Sequence, residues 1–223
     1  MRKRLNRIIK QLKDVNTDQI SAYCIPLKIG ETKFGRLRPI TVDSIANRAE
    51  IEMLANWRKD RQEFFTTQFN VTVESTKKWL EEKILPSDSN ILFIVENEEH
   101  IPIGQVGLCD IDHQKKYCLF DNILRGDTQH FKGGMKFACS TLLNWCFKVL
   151  NMETVYLKVL SDNERAIRLY KELGFQEIQK MPLINQTENG ITKWIPLINQ
   201  PFYEVQRYLI TMRAVQINGS LKD

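Results

Sequence analysis

Residues 155–175 read VYLKVLSDNERAIRLYKELGF. Val155-Tyr156-Leu157-Lys158-Val159 has the branched, apolar character of a strand. Asn163 then stands where a helix begins, and Ala166, Ile167 and Tyr170 fall at helical spacing. Gly174 occupies the position at which helices close in a left-handed cap, and Phe175 opens another strand over residues 175–178. Strand, helix and strand in so short a span predict an α/β protein rather than an all-β or all-α one.

The flanking sequence extends the pattern. Residues 117–124 read as a strand, which is followed by the loop RGDTQHFKGG and a long helix over residues 135–150. Residues 91–95 and 103–111 are two more strands, forming with 117–124 an antiparallel meander. Further upstream, residues 36–40 form a short strand. A helix over 43–58 has Asp43 as N-cap, and a second one starts after Thr72 and runs towards Ile84, with Pro86 just beyond. Residues 205–215 form the last strand. The segment Pro182-Leu183-Ile184-Asn185-Gln186 recurs as Pro196-Leu197-Ile198-Asn199-Gln200, which marks a hairpin or an extended insertion. The expected fold is mixed α/β, with a central, mostly antiparallel sheet flanked by helices. One domain covers residues 34–215, after a basic extension (1–33) and before a polar tail (216–223).

Composition narrows the class further. The chain has 223 residues, 43% of them apolar and 26% charged, and a formal net charge of +5. Six basic groups and no acid lie in residues 1–13, leaving 26 basic against 27 acidic residues elsewhere. The near-neutral body argues against nucleic acid as a partner. Leu5, Ile8, Ile9 and Leu12 make residues 1–13 an amphipathic helix, to be docked on the domain or on a second copy in a homodimer, with a membrane-surface or nucleic-acid arm as the alternative. Five cysteines without a C-x-x-C pair and three scattered histidines give neither a disulfide framework nor a metal site. No apolar run approaches the ~20 residues of a membrane span, and no signal peptide is read at the amino terminus, which predicts a cytoplasmic protein.

The chemistry lies in residues 117–178. A loop with Gly133 and Gly134 leading into a helix amino terminus exposes backbone N–H groups to an anion, and Lys132 and His130 add charge nearby. With the strand–Asn163-x-x-Ala-x-x-x-Tyr170-x-x-x-Gly174-Phe175 pattern, this resembles the GNAT acyltransferases, the Gcn5-related N-acetyltransferase superfamily, over about residues 34–180. The resemblance implies a GNAT fold and acetyl-CoA as co-substrate, without a metal. The family's phosphate motif, Gln/Arg-x-x-Gly-x-Gly/Ala, fits in two registers. Either His130, Gly133 and Met135 hold its three places, or Gln129, Lys132 and Gly134 do.

By the same resemblance, backbone groups at Ile123 and Leu124 polarise a thioester carbonyl. Tyr170 returns a proton to the thiolate, and Asn163 contacts the pantetheine arm or the acceptor. The plainer account makes Asn163 a helix cap and Tyr170 a packing residue. Asp121 is the first choice for the base that takes the amine proton, with Asp110 and Asp112 beside it on the acceptor side. Trp57-Arg58 and Trp79-Leu80 are similar to the branch that acetylates nucleotide-linked amino sugars or ribosomal-protein amino termini, and Arg58 would meet a phosphate or carboxylate. Phe64, Phe65, Trp194 and Tyr203 would stack on a base or sugar, or belong to the core. The expected function is acetylation of a small-molecule amine, a nucleotide-linked amino sugar being preferred. A protein amino terminus as acceptor and a non-catalytic acyl-CoA-binding module are the alternatives.

Overall fold

The computed structural model describes residues 2–126, 129, 132–198 and 204–216, with side chains from residue 7 onward. His130, Tyr203, Asn199 and Gln200 lie outside the described residues. The elements in chain order are α1 (Arg2–Asp14), β1 (Ile25–Ile29), β2 (Thr32–Pro39), α2 (Arg48–Asp60), β3 (Thr67–Gln68), α3 (Val73–Trp79), β4 (Ile91–Asn97), β5 (Pro102–Asp112), β6 (Tyr117–Arg125), α4 (Gly134–Lys148), β7 (Thr154–Leu160), α5 (Glu164–Glu172), β8 (Gln176–Glu188), β9 (Ile191–Pro196) and β10 (Arg207–Val215).

The unit around residues 155–175 forms for local reasons. Asn163 Oδ1 accepts the Ala166 N–H at 3.2 Å and starts α5. At the other end Gly174 takes φ +87°, which a side chain would resist. There the Gly174 N–H donates to Lys171 O and the Phe175 N–H to Tyr170 O, both at 3.0 Å, a complete Schellman closure. The Phe175 ring rests on Tyr170, with centroids 6.1 Å apart, so the helix stop is also a core contact.

Ten strands form one sheet in the order β1-β2-β4-β5-β6-β7-β10-β8-β9-β3. Every pairing is antiparallel except β6–β7, because α4 carries the chain back across the sheet between those two strands. One face is covered by α1, α4 and α5, with Phe93, Phe120, Leu142, Cys146, Leu157 and Met212 in its core. The other is covered by α2 and α3, around Ile51, Leu54, Leu80, Leu92 and Ile94. A buried ion network holds α2 to the sheet. Glu96 accepts from Arg36 at 2.5 Å and from Arg38 at 2.6 Å, and Arg38 reaches Glu50 at 2.6 Å. No helix among the described residues is long and apolar enough to cross a membrane.

Two segments differ from the sequence reading. The helix expected from Asp43 is broken in two. A 3-10 turn over Val42–Ala46 is capped by Thr41, and Asn47 caps α2 by accepting the Glu50 N–H at 3.2 Å. Asp43 instead accepts the Thr17 N–H and hydroxyl at 2.9 and 3.0 Å, binding the extension to the domain. Residues 1–33 include a sheet strand, β1, and Ile9, Leu12 and Leu27 sit in the main core. Lys13, counted with the basic arm, is buried, and its ammonium donates to Ile84 O at 2.6 Å and to Ser87 O. The repeat does mark a hairpin, as expected: its first copy lies in β8 and pairs with Lys193–Pro196 of β9, so only Pro196 and Leu197 of the second copy meet it. That hairpin turns on Asn189-Gly190, both at positive φ, a signal in plain view in the sequence.

Candidate active site

The parallel pairing of β6 with β7 runs from Tyr117↔Thr154 to Phe120↔Leu157 and ends there, although β6 continues to Arg125. The carboxyl ends of the two strands therefore part, and the β6 backbone beyond Phe120 faces a gap instead of a ladder. On its other edge β6 stays paired with β5, but the register shifts between Gln105 and Gly107. Asn122 stands at that bulge with φ +54°, and the buried Gln105 holds it by donating Nε2 to Asn122 O at 3.2 Å. A bulge turns the strand and re-aims the groups that follow it, here Ile123 and Leu124.

The start of α4 lies beyond this gap. Gly133 adopts a left-handed conformation, φ +86°, as its N-cap, without a side-chain cap and with no acid in the first turn. The first N–H groups of the helix thus remain available to an anion. Lys132 and Gln129 are exposed at the loop, and Gly134 is buried. Lys136 is tied to Glu172 at 2.8 Å. Met135 is half-buried, and its side chain packs on β5 at Gly104, where an added Cβ would lie 2.6 Å from Met135 Sδ. Its side chain is therefore a packing group.

Tyr170 projects from α5 into the core beside Phe175 and Phe120. Burial, with Cys139 and Asp121 nearby, raises its pKa well above that of a free phenol. Asn163 acts as the α5 cap while lining a surface pocket with Phe64, Asp162, Arg165 and Arg168. Asp121 sits opposite Gly107 immediately before the bulge. Water reaches this side chain, yet it is crowded by protein, and partial desolvation raises its pKa above the usual carboxylate range. A bond from the Asn122 backbone, the Cys109 thiol and the charge of Arg58 oppose that shift.

Arg58 stands at the end of α2. Its guanidinium carbon is 3.4 Å from the Phe65 ring centroid, and Nη2 donates to Thr67 O at 2.8 Å. Burial lowers its pKa to about 10, so it remains charged at neutral pH. The adjacent Trp57 lies flat on Gly126, where a Cβ would come within 1.9 Å of the indole. The structure thus brings Asp121, Ile123, Leu124, Arg58, Asn163 and Tyr170 to the region where β6 and β7 part. It does not bring Asp112 there. Asp112 closes the β5–β6 hairpin by accepting the Gln114 and Lys115 N–H groups at 2.8 and 2.9 Å, at the amino-terminal end of β6. Asp110 lines a separate pocket with Asp88, Asp112 and His113, although its charge still bears on Asp121. Gln105, Gly104 and Gly126 shape the site and were not singled out from sequence. A glycine inside a strand, such as Gly104, is the available signal of close approach.

Comparison with known proteins agrees with this architecture. The model of the acetyltransferase (GNAT) domain matches residues 36–176. Spermidine N(1)-acetyltransferase of Vibrio cholerae serotype O1 is 33% identical over 85 residues, which are 38% of this chain and 49% of that enzyme. The match thus spans about half of that relative's length. The enzyme of the same name from Escherichia coli K12 is 29% identical over 140 residues, 63% of this chain and 72% of the relative. Among solved structures, the Vibrio cholerae spermidine N-acetyltransferase in complex with CoA and spermine superposes with a TM-score of 0.60 at 19% identity, over 81% of this chain and 94% of the other. A dodecameric structure of that acetyltransferase in an intermediate state gives 0.56 at 20% identity, over 81% and 92%. At such identities the superpositions establish the fold. Because the family model matches more than half of the chain, this protein belongs to the GNAT acetyltransferase family.

Proposed function

We propose that this protein transfers the acetyl group of acetyl-CoA to a primary amine of a small molecule. The observation that carries the reading is the parting of β6 from β7 in front of an uncapped, glycine-lined helix start. The gap takes the pantetheine and thioester. Gln129, Lys132 and the backbone of Gly133, Gly134 and Met135 take the phosphates, and Asn163 flanks the arm. No acid in the first turn of α4 competes for those N–H groups.

In the reaction, the neutral amine nitrogen bonds to the carbonyl carbon and the C–S bond breaks. Backbone N–H groups at Ile123 and Leu124 stabilise charge on the carbonyl oxygen. Asp121 takes the proton that the ammonium must lose. Its pKa, raised by desolvation, makes it a better base than an ordinary carboxylate. Tyr170 supplies a proton to the leaving thiolate, and its own raised pKa keeps the phenol protonated until then. On the acceptor side stand Arg58 and, further along β5, Asp110.

The names of the relatives bring spermidine forward as the reference acceptor, in place of the amino-sugar nucleotide preferred from sequence. We also include self-association in this reading, since the Vibrio cholerae acetyltransferase has a dodecameric structure. The test is thiol release from acetyl-CoA by the purified chain, with spermidine, smaller amines and a peptide amino terminus as acceptors. Amine-dependent CoA release is expected. Absence of release from every acceptor, with no thermal stabilisation by millimolar acetyl-CoA, refutes the reading; a ligand at 100 times its Kd should stabilise by ~2.7 kcal/mol.

A further inference from the structure

Two buried hydrogen-bond donors, Arg58 Nη1 and the Trp194 indole Nε1, find no acceptor among the described residues. Both belong to residues that hold one strap, residues 64–68, between α2 and α3, Arg58 by its side chain and Trp194 by its backbone. Arg58 holds it from the helix side, through Thr67 O and the Phe65 ring. Trp194 holds it from the hairpin side. Its backbone N–H donates to Thr66 O at 2.8 Å, and β3 pairs with the residues just before it, Thr192 and Lys193. Phe64 of the same strap lines the pocket that contains Asn163, Arg165 and Arg168 at the carboxyl end of β7.

Unmade buried donors are costly, most of all on a charged group, and they persist where a ligand completes them. Arg58 is fixed before any ligand arrives. Phe65 lies under its guanidinium and Phe69 stands 5.6 Å away, so the unused N–H is held in place between two rings, with the charge of Asp121 also bearing on the group. Arg207 covers the Trp194 ring at 4.7 Å, but its charge is taken by Asp162. The pocket beside Phe64 is lined by both signs, Arg165 and Arg168 with Asp162 and Glu164, and Asp162 is already taken by Arg207, so it is the unmade donor of Arg58 that favours an anion.

We propose that the strap, with Arg58 as charged donor and the Trp194 indole as neutral donor, recognises an anionic end, carboxylate or phosphate, on the amine that is acetylated. The proposal rests on the acetyl-transfer reading and narrows its acceptor to an amine that carries its own anion. The planar guanidinium suits an oxyanion, and the indole adds a second donor from another direction.

Three acceptors with a common four-carbon spacing decide it: 1,4-diaminobutane, 4-aminobutanoate and 4-aminobutyl phosphate. For the wild-type protein, kcat/KM for at least one anionic amine is expected to exceed that for the diamine by about 10-fold or more. The stronger of the two identifies the anion. Arg58→Gln should bring the ratio near one with the KM for acetyl-CoA unchanged, and Trp194→Phe should lower it severalfold. A diamine used as well as or better than both anionic amines by the wild type overturns the proposal. So does an Arg58→Gln variant that loses all three acceptors equally, since a strap held merely for structure would behave that way. If Arg58→Gln fails to fold, Arg58→Lys, which keeps the charge but not the fork, is expected to lower the ratio by a smaller factor, and an unchanged ratio again overturns it. Transfer to none of the three while spermidine is acetylated overturns the proposal alone; transfer to none of the three and none to spermidine, with no thermal stabilisation by acetyl-CoA, defeats the acetyl-transfer reading itself. Calorimetric titration of the wild-type protein with 4-aminobutanoate and with the diamine then decides the anion site on its own, with binding of the diamine alone counting against it.

Discussion

Replacing Gly126 by alanine should damage the acceptor wall in a way that can be traced to one contact. A Cβ there would sit 1.9 Å from Trp57 Cε2 and 2.2 Å from Nε1. Carbon atoms pack at about 3.5–4.0 Å, so the indole must retreat by roughly 1.5 Å or more. The ring is rigid and anchored on α2, beside the apolar cluster of Ile51 and Leu54. Overpacking of this kind costs about 1–3 kcal/mol. For a chain of this size that corresponds to a fall in Tm of roughly 2–12 °C. The backbone itself is no obstacle, because Gly126 is not among the residues at positive φ. Trp57→Leu should therefore absorb the methyl group, and Gly126→Ala in that background should be nearly neutral. The coupling read from the double-mutant cycle should be about 1–3 kcal/mol. Denaturant or thermal unfolding of the four proteins measures it. In the single variant the KM for the amine should rise more than that for acetyl-CoA, since Arg58 follows Trp57 in the chain. Equal costs of Gly126→Ala in both backgrounds would show that the contact with Trp57 is not what requires glycine.

Three further outcomes follow from the site. Tyr170→Phe should lower kcat by roughly 10²–10⁴, with acetyl-CoA affinity nearly unchanged; a kcat within twofold of wild type removes Tyr170 from the acid role. Activity should fall with acidification along a limb set by Asp121, because the protonated carboxyl cannot take the amine proton. That limb should lie above the ordinary aspartate value of about 3.9, and Asp121→Asn should abolish it along with most of kcat/KM; an unchanged limb in the variant would assign it to another group. Lys13 is held at a pKa of about 8, lowered from 10.5 chiefly by burial. The unfolded chain thus retains a proton that the native state has released between those pH values. Stability should accordingly rise with pH there, by at most about 1.4 kcal/mol per unit. Chemical denaturation at several pH values should show that rise in the wild type and not in Lys13→Met, and identical profiles would exclude Lys13 as its source.

Much of this molecule is set by short-range rules. The strand–Asn163–helix–Gly174–Phe175 pattern closes on itself through two backbone bonds and a ring contact within twelve residues, so no distant partner is needed to read it. The meander and α4 follow in the same way from apolar periodicity. The family was legible for this reason. Local signals misled where a neighbour competed for the same group. Asp43 reads as a helix cap, but Thr17 takes its carboxylate, and the helix starts at Asn47 instead.

Other features have no signature along the chain because they join residues far apart in it. The sheet edge at β1, the burial of Lys13 under carbonyls more than seventy residues away, and the network of Glu96 with Arg36 and Arg38 are examples. The bulge at Asn122 depends on Gln105 from the neighbouring strand. Asp112 and Asp121 are both acids of the same hairpin, yet one serves a turn and the other stands just before the bulge, facing the charge of Arg58. The sequence alone determined most of the elements, their order and the chemistry class, since those depend on periodicity and caps. Tertiary structure alone decided which side chains gather where β6 and β7 part, and that Arg58 and Trp194 each keep a buried donor without an acceptor among the described residues. Burial and charge at a site are sums over every element packed around it.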